Sequence, residues 1–312
     1  MAIRGCLRIA MSAGFMATPY GGVAMPPAVL HHLDREPPMQ TVHLASAVGW
    51  GFPTWNQAEM IALLKTFDIR RIQIFRNRQK NIPAVDIRRP VNDAGLTISS
   101  LHAFFGPDHD LSLTDEADRR HSVENLTREA DYVLALGGRL VVVHPGCAEC
   151  GGTSADPDRV AALARSTEEL ARVAESMDIL FSLENLPHGM VGDDMAVLRK
   201  IVETIDSPHL GLNYDCGHSN LTSDSITVLD QAGPRIVSTH IHDNLGLKDD
   251  HLPPGFGNVD MDAVCRGLAR HGYRGEFTLE LMAPVDVLRR QLDAAWTARL
   301  RRWLDLAASA AS

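Results

Sequence analysis

Residues 236–260 read IVSTHIHDNLGLKDDHLPPGFGNVD. The first six, Ile236 to Ile241, are mostly β-branched or apolar and read as a buried strand. The stretch then gathers His240, His242, Asp243, Asp249, Asp250 and His251 at the strand's C-terminal end and on a loop punctuated by Gly and Pro. Imidazole nitrogens and carboxylate oxygens at this density, on a loop anchored by a strand, suit a hard or borderline divalent cation. Asp and His are also ordinary turn residues. The cluster gains weight only if other strands end the same way.

Outward from this strand the chain repeats one unit. Short β-rich runs begin at Thr41-Val42-His43-Leu44 and recur at Ile72–Phe75, Thr97–Leu101, Leu140–Val143, Ile179–Leu183, His209–Tyr214, Ile236–Ile241 and Phe277–Leu281. Helical patterns separate them. Gln57–Phe67 puts Met60, Ile61, Leu63, Leu64 and Phe67 on one face, and Asp115–Leu136 is longer. Asp158–Ser176 follows an Asp156-Pro157 start signal, and Val285–Leu306 is read as one closing helix. Strand–helix alternation predicts an α/β fold with a parallel sheet and right-handed crossovers. Eight such units predict a single (β/α)8 TIM barrel over 41–312, preceded by an N-terminal extension over 1–40.

Composition narrows the function classes. The chain has 312 residues, 45% of them hydrophobic and 22% charged, as expected of a globular protein with a sizeable core. A formal charge of −9 offers no global basic field, which argues against nucleic acid as a partner. No segment approaches the ~20 apolar residues that span a bilayer, so no membrane partner is expected. Arg4 and Arg8 precede a short apolar run that faintly resembles an export signal, but Gly and Pro interrupt it, and a cytoplasmic location is the expectation. The five Cys are irregularly spaced. Cys147 and Cys150 form a CxxC without a second pair to complete a zinc knot, and are read as two thiols on a loop.

In a barrel of this kind the active site lies at the C-terminal ends of the strands. Strand three ends at His102, strand four at His144, strand five at Glu184 and strand six at Asp215, with His218 three residues on. Strand seven supplies His240, its loop supplies Asp249 and His251, and strand eight ends at Glu280. One His at a strand end is an ordinary core histidine. Six successive strands ending in metal-capable side chains at the functional rim are not, because carboxylates buried there need a counter-charge. The cofactor expectation is therefore a divalent metal (Mn, Zn, Co or Mg), one to three ions per chain.

The pieces HPG (144–146), LEN (183–185), DCGH (215–218) and HIHDN followed by DDHLPPGFGN (240–258) resemble the xylose isomerase-like TIM-barrel superfamily, which includes sugar phosphate isomerases and epimerases and endonuclease IV. The resemblance covers about 41–308. It implies that Glu184, Asp215, His240 and Glu280 form a shared metal site. It further implies a second metal held by His102 and His144 with Glu184 bridging, and a third held by His218, Asp249 and His251. The chain departs from the family pattern at Gly255-Phe256-Gly257, where a Gly-Glu-Gly is usual, and in its N-terminal extension.

The expected function is a divalent-metal-dependent isomerase or epimerase of a sugar, sugar phosphate or related polyol, working by proton abstraction and an enediolate. Glu184 and Glu280 are the expected catalytic pair, and His218 and His242 the substrate-binding residues. The alternatives are an endonuclease IV-like trinuclear phosphoesterase and a metal-dependent sugar lyase or dehydratase. Against DNA as substrate, the loops after His102 and His144 carry no Lys or Arg. Arg76 and Arg78, after strand two, are read as exposed helix-start arginines rather than phosphate ligands. The expected partners are a small sugar-like substrate and a second copy of the chain in a homo-oligomer.

Overall fold

The computed structural model describes residues 42–309 apart from residue 54. The expected extension over 1–40 lies outside the described residues.

Eight parallel strands close on themselves in sequence order. They are β1 (His43–Trp50), β2 (Arg71–Arg76), β3 (Thr97–His102), β4 (Leu140–Val143), β5 (Leu180–Glu184), β6 (Leu210–Asp215), β7 (Ile236–Ile241) and β8 (Glu276–Leu279), with β8 pairing back to β1. The crossovers carry α1 (Gln57–Thr66), α2 (Ala84–Asp93), α3 (Glu116–Leu136), α4 (Pro157–Met177), α5 (Met195–Ile205), the pair α6 (Cys216–Thr222) and α7 (Ser225–Ala232), and α8 (Met261–Arg270). After β8 come α9 (Val285–Gln291) and α10 (Ala294–Ala308). The chain is a (β/α)8 TIM barrel, as its alternation predicts.

Local signals explain most boundaries. Asp115 caps α3 by accepting from the backbone N–H groups of Ala117 and Asp118, and Gly137 ends it with φ +94°. Asp156 caps α4 with Pro157 in its first turn, as the sequence signal predicts. The first strand, whose apolar run begins at Thr41 in the sequence reading, extends to Trp50. One boundary differs from expectation. The closing helix is broken, because Asp293 accepts from the Trp296 N–H at 2.8 Å and starts a new helix there. An apolar periodicity that continues across a cap hides the break.

Alternation along the strands aims the ligand-type residues inward. On β3 the inward pair is Ser100 and His102, on β5 Ser182 and Glu184, on β6 Asn213 and Asp215, and on β7 Ser238 and His240; every one is buried. Ser182 Oγ and Ser238 Oγ meet at 2.8 Å from strands that are not neighbours, which places this small polar layer inside the barrel. The ionisable residues form the layer above it. Register shifts preserve the arrangement. One extra residue on β7, Val237, separates the pairs Leu212–Ile236 and Asn213–Ser238. Without that shift His240 would face the helices. Gly211 makes room, since a Cβ there would lie 2.3 Å from the Val237 side chain. No described helix is long and apolar enough to cross a membrane.

Candidate metal and active site

The four residues at the ends of β5, β6, β7 and the turn after β8 meet around one imidazole nitrogen. His240 Nδ1 is 2.8 Å from Glu184 Oε1, 3.3 Å from Glu280 Oε2 and 3.6 Å from Asp215 Oδ2. The other face of Glu184 meets two more histidines: Oε2 is 3.3 Å from His102 Nε2 and 3.4 Å from His144 Nε2. Beyond His218 lies the β7–α8 loop, where His218 Nε2 is 3.2 Å from Asp249 Oδ2. His251 Nδ1 is 3.3 Å from Asp249 Oδ1, and its Nε2 is 3.5 Å from Glu280 Oε2. All nine side chains named from the strand ends and the segments that follow them thus share one rim.

These contacts carry the test for a metal. Glu184 Oε2 is buried and accepts no hydrogen bond from the described residues. An orphaned carboxylate oxygen is costly unless a cation satisfies it. Ligand atoms each about 2.1 Å from a tetrahedral ion stand roughly 3.4 Å apart, close to the separations that Glu184 Oε2 keeps from the two imidazoles. The donors are nitrogen and oxygen only, a set that Zn, Mn and Co accept. The residues fit a divalent ion.

Without a metal, the histidines must supply the counter-charge. Burial pushes the Glu184 carboxyl up, but the His240 charge and hydrogen bond, with the His102 and His144 imidazoles close beside it, hold it well below the carboxylate range. Glu280 follows the same logic, held at about 2 against burial by His240 and His251. Burial presses His218 down, yet Asp215, Asp249 and Glu184 raise it to about 10. His240 is raised well above its ordinary value by Glu184 and Glu280 despite burial. His144 goes the other way, lowered chiefly by burial.

Neighbours that the sequence does not single out hold this layer in place. Gln73, fully buried on β2, accepts from His240 Nε2 at 2.9 Å and so leaves Nδ1 for the carboxylates. Asn185 donates to the backbone carbonyl of Asp215 at 3.0 Å and accepts its N–H at 2.8 Å. The inward parity of Gln73 with Phe75 is the one signal in the sequence that could have found it.

His242, expected at the substrate, does not line the cavity. It is fully buried, with Nε2 at 3.0 Å from Asp215 Oδ1 and its ring stacked on His251 at 4.2 Å. Gly217 is required beside it, because a Cβ there would fall 2.0 Å from the His242 ring. Asp243 also turns away, accepting the N–H groups of Asn244, Gly255 and Val259 and so closing the loop that carries Asp249 and His251. Asp250 pairs with Lys248 at 2.7 Å.

Arg76 corrects the sequence reading. It is buried rather than exposed, ion-paired with Glu129, and its guanidinium lies 4.2 Å from the Phe104 ring centroid and 3.7 Å from that of Tyr132. Arg78 is exposed as expected and is held by Asp108 at 2.8 Å. Cys147 and Cys150 are free thiols, both raised in pKa, chiefly by burial. The neighbouring Asp110 is engaged by Arg159 at 2.9 Å.

Comparison with known proteins places the chain. The uncharacterized protein MJ1311 of Methanocaldococcus jannaschii is 30% identical over 185 residues, 58% of this chain and 63% of that one. The chain thus spans less than two thirds of the length of this relative. Fructoselysine 3-epimerase of Escherichia coli O157:H7 is 26% identical over 182 residues, covering 57% of this chain and 65% of its own. The crystal structure of a D-tagatose 3-epimerase-like protein superposes with a TM-score of 0.67 at 22% identity, over 84% of this chain and 97% of that one, which shows a shared fold. The family profile described as xylose isomerase-like TIM barrel matches residues 59–305, a span that takes in seven of the eight strands and all nine rim residues. By that match, and by the closed barrel it describes, the chain belongs to the xylose isomerase-like TIM barrel family.

Proposed function

We propose that the protein is a divalent-metal-dependent epimerase or isomerase of a small sugar-like substrate. The observation that carries the reading is the meeting of Glu184, Asp215 and Glu280 around His240 Nδ1 at the floor of a cavity of about 310 Å³. That volume is at the lower end of small-molecule sites, which run to roughly 300–1,000 Å³. Glu184, Asp215, His240 and Glu280 would hold one ion; His102 and His144 would share Glu184 with a second; His218, Asp249 and His251 would hold a third. A divalent ion held by these residues would supply Lewis-acid polarisation of the substrate's hydroxyl and carbonyl oxygens, which would acidify the carbon-bound proton between them.

The chain's own part is proton traffic. Glu184 and Glu280 reach the cavity from strands on either side of β7, so one carboxylate can take a proton from carbon while the other returns one. Return to the opposite face of the same carbon epimerises; return to the adjacent carbon isomerises. The phenyl rings of Phe75 and Phe105 at the cavity wall keep bulk water from the carbanion.

Deuterated water tests the reading. Metal-loaded protein should place deuterium next to the carbonyl of a ketose from a panel of ketoses and inososes, read by proton NMR. A direct hydride shift leaves no solvent label and is recognised by retention of label on a substrate deuterated at the migrating position. The second reading is phosphoester hydrolysis, favoured by the gathering of all nine rim residues. Metal-dependent cleavage of a chromogenic phosphodiester, with neither exchange nor hydride transfer, would put it first.

Gln73 offers a second check. Gln73→Leu removes the acceptor of His240 Nε2, and metal affinity should fall about 10–100-fold with the barrel intact. Titration against a chelating dye gives the affinity and circular dichroism the fold. Unchanged affinity would separate Gln73 from the site.

A further inference from the structure

The substrate end of the cavity is chemically unlike its floor. Seven of the nine rim residues line it, and the rest of the lining includes Phe75, Phe105, Met190 and Met282, with the Glu149 carboxylate and the Cys147 thiol as polar exceptions. Phe105 is 42% exposed, unusual for so large an apolar ring. Its ring lies nearly parallel to His144 at 4.6 Å and 17°, and to Phe75 at 6.3 Å and 12°; Phe75 in turn stacks on Phe52 at 5.2 Å. This is a ladder of aromatic faces that ends in the cavity.

No Lys or Arg among the described residues lines it. The two arginines that follow Phe75 in the chain are committed elsewhere. Arg76 is buried against Glu129, and Arg78 holds Asp108 and the Phe105 carbonyl, the latter at 2.8 Å.

From these observations we infer that the substrate is an uncharged hydroxy-carbonyl compound carrying an apolar, preferably aromatic, substituent, and is not a sugar phosphate. The inference rests on the sugar-type reading above and deepens it. Two oxygens of a ketose are taken by the floor. Its remaining hydroxyls would face rings and thioethers, and a hydroxyl buried without a partner weakens binding. An aromatic substituent instead continues the ladder in the offset-stacked geometry that rings favour. A phosphate would bring about −1.5 to −2 of charge to a wall that answers with a carboxylate.

The experiment measures binding to the metal-loaded full chain by calorimetry. The probes are D-fructose, D-fructose 6-phosphate, 6-O-benzyl-D-fructose and 1-anilino-1-deoxy-D-fructose. At least one aryl probe should bind tenfold or more tightly than fructose, and the phosphate at least tenfold more weakly. Phe105→Ala should bring the aryl-to-fructose ratio close to one with metal stoichiometry unchanged, and Phe105→Tyr, which keeps the ring, should retain the preference. Phosphate bound as tightly as fructose, or no gain from either aryl group, overturns the inference. Deuterium exchange run in parallel separates it from the reading beneath. Exchange on fructose with no aryl preference sinks the substituent alone. Aryl preference without exchange or hydride transfer on any ketose sinks the isomerase chemistry and leaves the pocket's preference standing. No binding by any of the four overturns the inference, while exchange on another ketose or inosose of the panel would leave the sugar-type reading standing.

Discussion

Glu184→Gln combined with Glu280→Gln should leave a folded barrel that no longer takes up a divalent ion and turns over no substrate. Glu184 is the shared partner of the whole site: one oxygen faces His240, the other His102 and His144. Glu280 joins His240 to His251. An amide of the same shape keeps the packing but presents a neutral oxygen and an N–H in place of an anion. The ion then loses two charged ligands, and the reaction loses both groups proposed to move its proton, each such group being worth about 10²–10⁴ in rate. Each single variant should fall by that factor. Metal per chain, measured by elemental analysis after dialysis, should drop to background in the double variant. Stoichiometry equal to that of the unaltered protein would remove the core of the proposed site.

Glu129→Ala should destabilise the protein by about 3–5 kcal/mol, the cost of stranding a buried partner charge. Arg76 lies 8% exposed between the faces of Phe104 and Tyr132, and Glu129, 7% exposed, is its only anionic partner among the described residues. Its Nε already lacks a hydrogen-bond partner among the described residues. Removing the carboxylate leaves a guanidinium that cannot deprotonate and cannot reach water without disturbing both rings. In a barrel of this size the thermal midpoint should fall by roughly 10 °C. Replacing the pair together, Arg76→Met with Glu129→Leu, should cost far less, since no charge is left unpaired. A Glu129→Ala midpoint within 2 °C of the unaltered protein would show that water reaches Arg76 after all. Because Phe104 adjoins Phe105, the variant should also loosen the cavity wall.

Some of this was legible in the chain. The repeat of β-rich run and helical pattern determines the barrel, because each strand carries its period in its own residues and eight parallel units have few other ways to cover both faces of a sheet. The same reading located His102, His144, Glu184, Asp215, His240 and Glu280, since a strand's last inward residue is at the functional rim wherever the strand lies in the ring. The break at Asp293 was not legible, as a cap competes with a periodicity that runs through it.

What the tertiary structure alone decided are the matters of partnership. Whether Arg76 meets solvent or Glu129 depends on α3, fifty-three positions away. Gln73 and His240 are 167 positions apart and touch only once the barrel has closed. His242, two positions from His240, is turned behind Asp215 because Gly217 in the first turn of α6 leaves it space. A strand's own residues specify which side chains point inward. Which of those side chains face a ligand, and which serve one another, is set by contacts between strands that the linear sequence keeps far apart.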